Sequence, residues 1–172
     1  MSYLTNIFYD TTENQNFRTV LFTGMHSQLV VMSIPPSGEI GMETHDAVEQ
    51  TLFFLSGTGM ALLNGERKEV HPGDALVIAP GTEHNVLNTG TVPLKLFTVY
   101  APPNHLDGRV HATKADADSD REDEAFGSDR SITSSRSEFV PDFIPTREPR
   151  PEPANPLENP DGPAISIYAH EI

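Results

Sequence analysis

The segment Gly41-Met-Glu-Thr-His-Asp-Ala-Val-Glu-Gln50 places a carboxylate, an imidazole and an amide oxygen within eight residues, directly ahead of the apolar run Thr51-Leu-Phe-Phe-Leu55. Nitrogen and oxygen donors of these kinds suit a divalent ion rather than a thiophilic one, and the chain contains no cysteine. The segment reads as a metal site on a strand. Side chains two apart on a strand share a face, so Glu43 and His45 project together. By the same count Gln50, Leu52 and Phe54 share one face, while Glu49, Thr51, Phe53 and Leu55 take the other. A loop between His45 and Gln50 leaves the parity across it open, so Glu49 stands as the alternative third ligand. A further imidazole, His84, follows a Pro80-Gly81 turn signal, with one strand leading into the turn and another leading out.

In these residues the chain resembles the cupin superfamily. The second cupin motif, G-x5-P-x-G-x2-H-x3-N, runs from Gly73 through Gly81 and His84 to Asn88, with Ala79 where proline is usual. In the first, G-x5-H-x-H-x3,4-E-x6-G, Glu43 stands at the first histidine, His45 at the second and Gln50 at the glutamate, and Gly57 closes the motif. The leading glycine, if Gly38 fills it, is off by one. Carried over position by position, the resemblance implies a divalent transition metal (Mn, Fe, Co, Ni or Zn) held by Glu43, His45, Gln50 and His84. Two of these four positions depart from the commonest pattern, which leaves the identity of the ion open.

The elements that would position such a site are short strands. Phe17–Phe22 and His26–Ile34 are β-branched and aromatic runs bounded by Gly24 and by Pro35-Pro36-Ser37-Gly38. Met60–Leu63 and Glu66–Val70 flank Asn64-Gly65, the strongest short hairpin signal. Ala75–Ala79, Asn85–Asn88 and Pro93–Tyr100 complete an evenly spaced series that argues an antiparallel all-β sandwich or barrel. The resemblance sharpens that to a jelly-roll barrel, a double-stranded β-helix over residues 17–112, with Leu52, Phe54, Leu76, Ile78 and Leu96 inside it. Residues 1–16, anchored by Leu4, Ile7, Phe8 and Tyr9, read as an N-terminal arm or short strand.

From residue 113 the composition changes. Residues 115–172 hold fourteen of the twenty-five acidic residues, five arginines and eight of the fifteen prolines. This is the composition of a long acidic, proline-rich extension rather than a second globular domain. Two apolar islands in it, Phe139–Ile144 and Ala164–Tyr168, are expected to dock on a barrel face of this chain or of a partner subunit.

A net charge of −14 argues against nucleic acid or an anionic membrane surface as partner. The first residues lack a basic n-region and a long apolar run, and nothing approaches the ~20 apolar residues of a bilayer span. A cytoplasmic location and a homodimer are the expectations. His26, His71 and His170 read as ordinary core or surface residues.

Four protein ligands leave an ion able to take five or six with room for water or substrate. One carboxylate among them leaves a centre of net +1, which favours a bidentate anionic small molecule such as an enediolate, a hydroxy-carbonyl or a keto acid. Lewis-acid polarisation would acidify the adjacent carbon, and a base could then move its proton. Candidate bases are Glu49, His105 and His111. The two histidines fall in Pro102-Pro-Asn-His-Leu-Asp-Gly-Arg-Val-His111, a stretch with counterparts in small cupins, which also reads as a polar turn. Isomerase or lyase chemistry on a sugar-like or other oxygenated compound is therefore expected. The alternatives are a non-haem Fe(II) dioxygenase and a non-catalytic cupin that binds or senses a small ligand.

Overall fold

The computed structural model describes residues 2–130. The islands at 139–144 and 164–168, and the proline-rich stretch around them, lie outside the described residues. Among the described residues the chain runs α1 (Ile7–Glu13), β1 (Arg18–Thr23), β2 (Gln28–Ile34), β3 (Glu49–Ser56), β4 (Gly59–Leu63), β5 (Glu66–Val70), β6 (Ala75–Ile78), β7 (His84–Asn88), β8 (Leu94–Ala101), β9 (Val110–His111), α2 (Lys114–Ser119) and α3 (Arg121–Arg130). All pairings of these strands are antiparallel. Six strands form one sheet in the order β6-β3-β8-β2-β1-β9, and three form the other in the order β5-β4-β7. This is the two-sheet jelly-roll arrangement expected from the strand spacing and the motifs.

Local sequence accounts for much of it. Asn64 and Gly65 adopt φ of 48° and 85°, the pair of positive values that a two-residue type I′ hairpin needs, and they join β4 to β5 in register. On β3 the alternation holds as read: Gln50, Leu52 and Phe54 are buried, while Glu49 is exposed. Leu52 and Phe54 meet Met32 and Ile34 of β2 and Leu94 and Leu96 of β8 in one apolar core. Leu76 is only partly buried at its margin, beside a fully enclosed Ile78.

Two expectations are corrected. Residues 7–13 form a helix, because the Asn6 side chain accepts the Tyr9 N–H and caps its start, and α1 packs across β8 and β2, with Phe8 edge-on to Phe97. The segment carrying Glu43 and His45 is not a strand. It joins the smaller sheet only through isolated bridges at Glu39 and Glu43, and its backbone pairing there, rather than strand periodicity, sets where the two side chains go. No described helix is long and apolar enough to cross a membrane.

Gly57 turns the chain from β3 into β4 at φ 84°. A Cβ there would lie 2.8 Å from the Pro93 carbonyl oxygen and 2.9 Å from the Leu94 Cα. Both obstacles are backbone, so neither can swing aside. Gly57→Ala is expected to destabilise the fold by roughly 2–4 kcal/mol, from left-handed strain plus overpacking. Urea unfolding measures this, and a change below ~0.5 kcal/mol, the range of neutral surface substitutions, would contradict the reading.

Candidate metal centre and adjoining cavity

Residues 38–43 run antiparallel to β7 and are tied to it bond by bond. The Asn88 N–H donates to the Gly38 carbonyl at 2.9 Å, the Ile40 N–H to that of Val86 at 2.9 Å, and Glu43 and His84 exchange both backbone bonds at 2.9 Å. Asn85 reinforces the pairing, since its side chain accepts the Gly41 N–H at 3.0 Å and donates to Glu39 at 2.8 Å. Two residues on, the His45 carbonyl accepts the Gly81 N–H at 2.8 Å. Partners opposed in an antiparallel pair project to the same side, so Glu43 and His84 face one another. Glu43 Oε2 lies 3.9 Å from His84 Nε2 and 3.4 Å from His45 Nε2. One donor atom from each of the three lies within 4.8 Å of the others.

Several features make this cluster fit a divalent ion. The His84 Nδ1–H donates to the Thr82 carbonyl at 2.8 Å, which leaves the Nε2 lone pair facing Glu43. Burial lowers the pKa of His84 and favours the neutral, ligating form. Burial opposes ionisation of Glu43, but the His45 imidazole and the Arg18 guanidinium outweigh it and hold the carboxyl below its usual value. His45 Nε2, His84 Nε2 and both amide atoms of Gln50 are buried without a hydrogen-bond partner. Gln50 is 1% exposed, and a buried amide with neither atom satisfied costs on the order of 1–3 kcal/mol. Register sets it beside Tyr100, whose ring stands 6.2 Å from that of His45. An ion shared at about 2.0–2.2 Å would satisfy the two imidazole nitrogens, and Gln50 Oε1 is an acceptor of the kind such an ion takes.

Beside the cluster lies a cavity of about 410 Å³, walled by Arg18, Glu43, His45, Asn104 and His105 and roofed by α2 and α3. His105 is held on every side but one. Its N–H and carbonyl bond the buried Gln28 side chain at 3.0 and 2.7 Å, its ring meets Tyr100 edge-on at 5.0 Å, and Nδ1 lies 2.8 Å from Asp123 Oδ2. The other Asp123 oxygen accepts the Leu106 N–H at 2.7 Å. With Nδ1–H committed to Asp123, Nε2 carries the lone pair, and that atom is buried with no partner. Burial lowers the His105 pKa. Burial also works against the Asp123 carboxylate, yet the His105 and Leu106 hydrogen bonds prevail and keep its pKa below the usual value.

Of the residues nominated from sequence, Glu43, His45 and His84 come together, and Gln50 faces the barrel interior as expected. His105 lines the adjoining cavity. Glu49 and His111 are not brought to the site. Glu49 is exposed on the face of β3 opposite Gln50, because strand alternation turns it outward. His111 is buried with its Nε2 2.9 Å from Asp120, in a network that continues through Arg109 to Glu122. There it fastens β9 to the α2–α3 junction, and its hydrogen bond, helped by the Asp123 N–H and the Arg109 guanidinium, draws the Asp120 carboxyl down to about 2.

Two residues of the cavity were not read from sequence. Arg18 is 6% exposed, and its one signal is parity with Val20 on a strand whose inward face is otherwise apolar. Asp123 sits in an acidic run, where nothing distinguishes it from its neighbours.

Replacing Gln50 with leucine separates the roles open to it. In chelator the variant is expected to melt at or above the wild-type temperature, because an unsatisfied amide has been replaced by a hydrocarbon of similar size. With Zn(II), affinity is expected to fall by more than the ~10 to 100-fold typical of an outer-shell change. A smaller loss in calorimetric titration would make Gln50 a supporting group rather than a ligand.

The family model for the cupin domain matches residues 30–100. The protein YrkC of Bacillus subtilis is 43% identical over 121 residues, covering 67% of this chain and 65% of its own length. The chain thus spans just under two thirds of that relative. The crystal structure of BH2720 from Bacillus halodurans superposes with a TM-score of 0.67 at 41% identity, covering 68% of this chain and 93% of the other. An oxalate-binding protein of Thermotoga maritima is 28% identical over 68 residues, 40% of this chain and 56% of that one. The motifs, the two-sheet barrel and these similarities agree: the chain belongs to the cupin superfamily.

Proposed function

We propose that this chain is a metal-dependent enzyme that moves a proton on a small oxygenated substrate, in the manner of an isomerase or lyase. The observation that carries the reading is the juxtaposition, on one cavity, of the Glu43–His45–His84 cluster and the His105–Asp123 pair. A divalent ion held by Glu43, His45 and His84, with Gln50 as fourth ligand, would polarise a carbonyl or hydroxyl oxygen of the substrate.

The chain's own residues do the rest. His105 presents Nε2 as an unprotonated base, because burial favours the neutral ring and Asp123 fixes the tautomer. Nε2 takes the proton from the carbon next to the polarised oxygen and can return it to a neighbouring atom. The Asp123 carboxylate holds the ring and stabilises the imidazolium formed in between, and the Gln28 bonds fix the backbone of residues 104 and 105 that carries it. Residues of α2 and α3 form one wall of the cavity. That the Thermotoga relative's name includes oxalate fits a small oxygen-rich ligand.

A second reading draws on the cluster itself, since two imidazoles and a carboxylate are the ligand types of non-haem Fe(II) oxygenases. Substrate-dependent oxygen uptake by Fe(II)-loaded protein, without exchange of substrate protons, would favour it.

Exchange of substrate C–H for deuterium, followed by NMR with Zn(II)- or Mn(II)-loaded protein and a panel of hydroxy-carbonyl and keto compounds, tests the first reading. His105→Gln is expected to slow exchange roughly 100-fold or more with metal stoichiometry unchanged. Because the His105 pKa lies below the ordinary imidazole value of about 6.5, the wild-type rate should hold at neutral pH and decline only as the pH drops beneath that value. Asp123→Asn removes a group that raises the His105 pKa, so the decline should move to still lower pH. An exchange rate indifferent to both substitutions would refute the assignment of the base.

A further inference from the structure

We propose that Arg18 is the specificity-determining residue of this cavity and that it selects a substrate bearing a carboxylate beside the metal-binding oxygen, the class of 2-hydroxy and 2-keto acids. The proposal rests on the metal reading above and adds the charge and shape of the ligand.

A buried arginine is expensive unless its donors are used, and this one is held loosely. Its Nη1 is 3.6 Å from Asp123 Oδ2 and its Nη2 is 3.9 Å from Glu43 Oε1, both beyond hydrogen-bonding range. Its Nη1 also lies 3.4 Å from His105 Nδ1, but that nitrogen already directs its proton to Asp123 and has no lone pair to offer. Its Nε is buried without a partner. A guanidinium offers five donors in a planar fork matched to a carboxylate, and here they are under-used in the wall of a cavity shared with Glu43, His45 and His105.

The charges point the same way. Two carboxylates, those of Glu43 and Asp123, stand beside the guanidinium. Against them stand one guanidinium and one dication, which leaves a single unit of positive charge for a monoanion to neutralise. Of the other acids lining the cavity, Asp118 is engaged by Lys114 at 2.7 Å, and Glu124 is exposed. Without the ion the same groups sum to a negative site that repels a carboxylate. Anion binding should therefore follow metal binding.

Isothermal titration of the full chain decides it, with glycolate and its uncharged counterpart hydroxyacetone as probes. Zn(II)-loaded wild type is expected to bind glycolate at least tenfold more tightly than hydroxyacetone, and metal-free protein to bind neither. Arg18→Gln should weaken glycolate at least tenfold and leave hydroxyacetone and the one-to-one zinc stoichiometry unchanged. Arg18→Lys keeps the charge without the fork and should fall between the two, which also serves if the glutamine variant does not fold. Equal affinity for the two probes in wild type, or an undiminished glycolate preference in either variant, overturns the role of Arg18 while leaving the metal reading intact. Failure of the wild type to take up one zinc per chain sinks both.

Discussion

The backbone pairing of residues 38–43 with β7 is the constraint on which the site depends. The Glu43–His84 bridge joins two positions forty-one residues apart in sequence, and each of the bonds beside it removes a degree of freedom that would otherwise let the carboxylate drift from the imidazole. Asn85 and Asn88 act in the same service. The side chain of Asn88 donates to the carbonyls of Ile34 and Val92 and accepts the Gly90 N–H, so the last residue of the second motif secures the end of β7 rather than joining the cluster. The arrangement of the cluster is thus fixed by hydrogen bonds along β7.

Electrostatics complete what the backbone begins. Three groups that burial alone would neutralise, Glu43, His105 and Asp123, line one cavity with the Arg18 guanidinium. Both carboxylates stay ionised because cations or hydrogen-bond donors face them, and His105 stays neutral because desolvation outweighs the attraction of Asp123. An isolated acid or imidazole in such surroundings would revert to whichever form carries no charge.

The barrel was legible because its signals are local and repeated. The alternation at Gln50, Leu52 and Phe54 identifies the buried face of β3, and Asn64-Gly65 encodes its hairpin in two residues. His84 and Gln50 were legible through motif spacing. Glu43 and His45 were paired correctly for a reason that does not operate, since they sit on a bridged segment rather than a strand. What escaped notice has no local signature. An inward arginine on β1 differs from an outward one only by a count of one, and Asp123 acquires meaning only when α3 meets the loop at His105. His111 and Glu49 erred in the opposite direction, because residue type suggested chemistry where the fold made one a fastener and the other a surface group. The helix at 7–13 is two turns long, and its cap, Asn6, is a residue equally at home in a loop.

The Glu43–His45–His84 cluster lies inside the span that the family model matches, whereas Arg18, His105 and Asp123 lie outside it on either side. Scaffold and tool are therefore written in separate stretches of the sequence. Relatives that share the span 30–100 can therefore keep the three clustered side chains while differing in the residues that wall the cavity beside them.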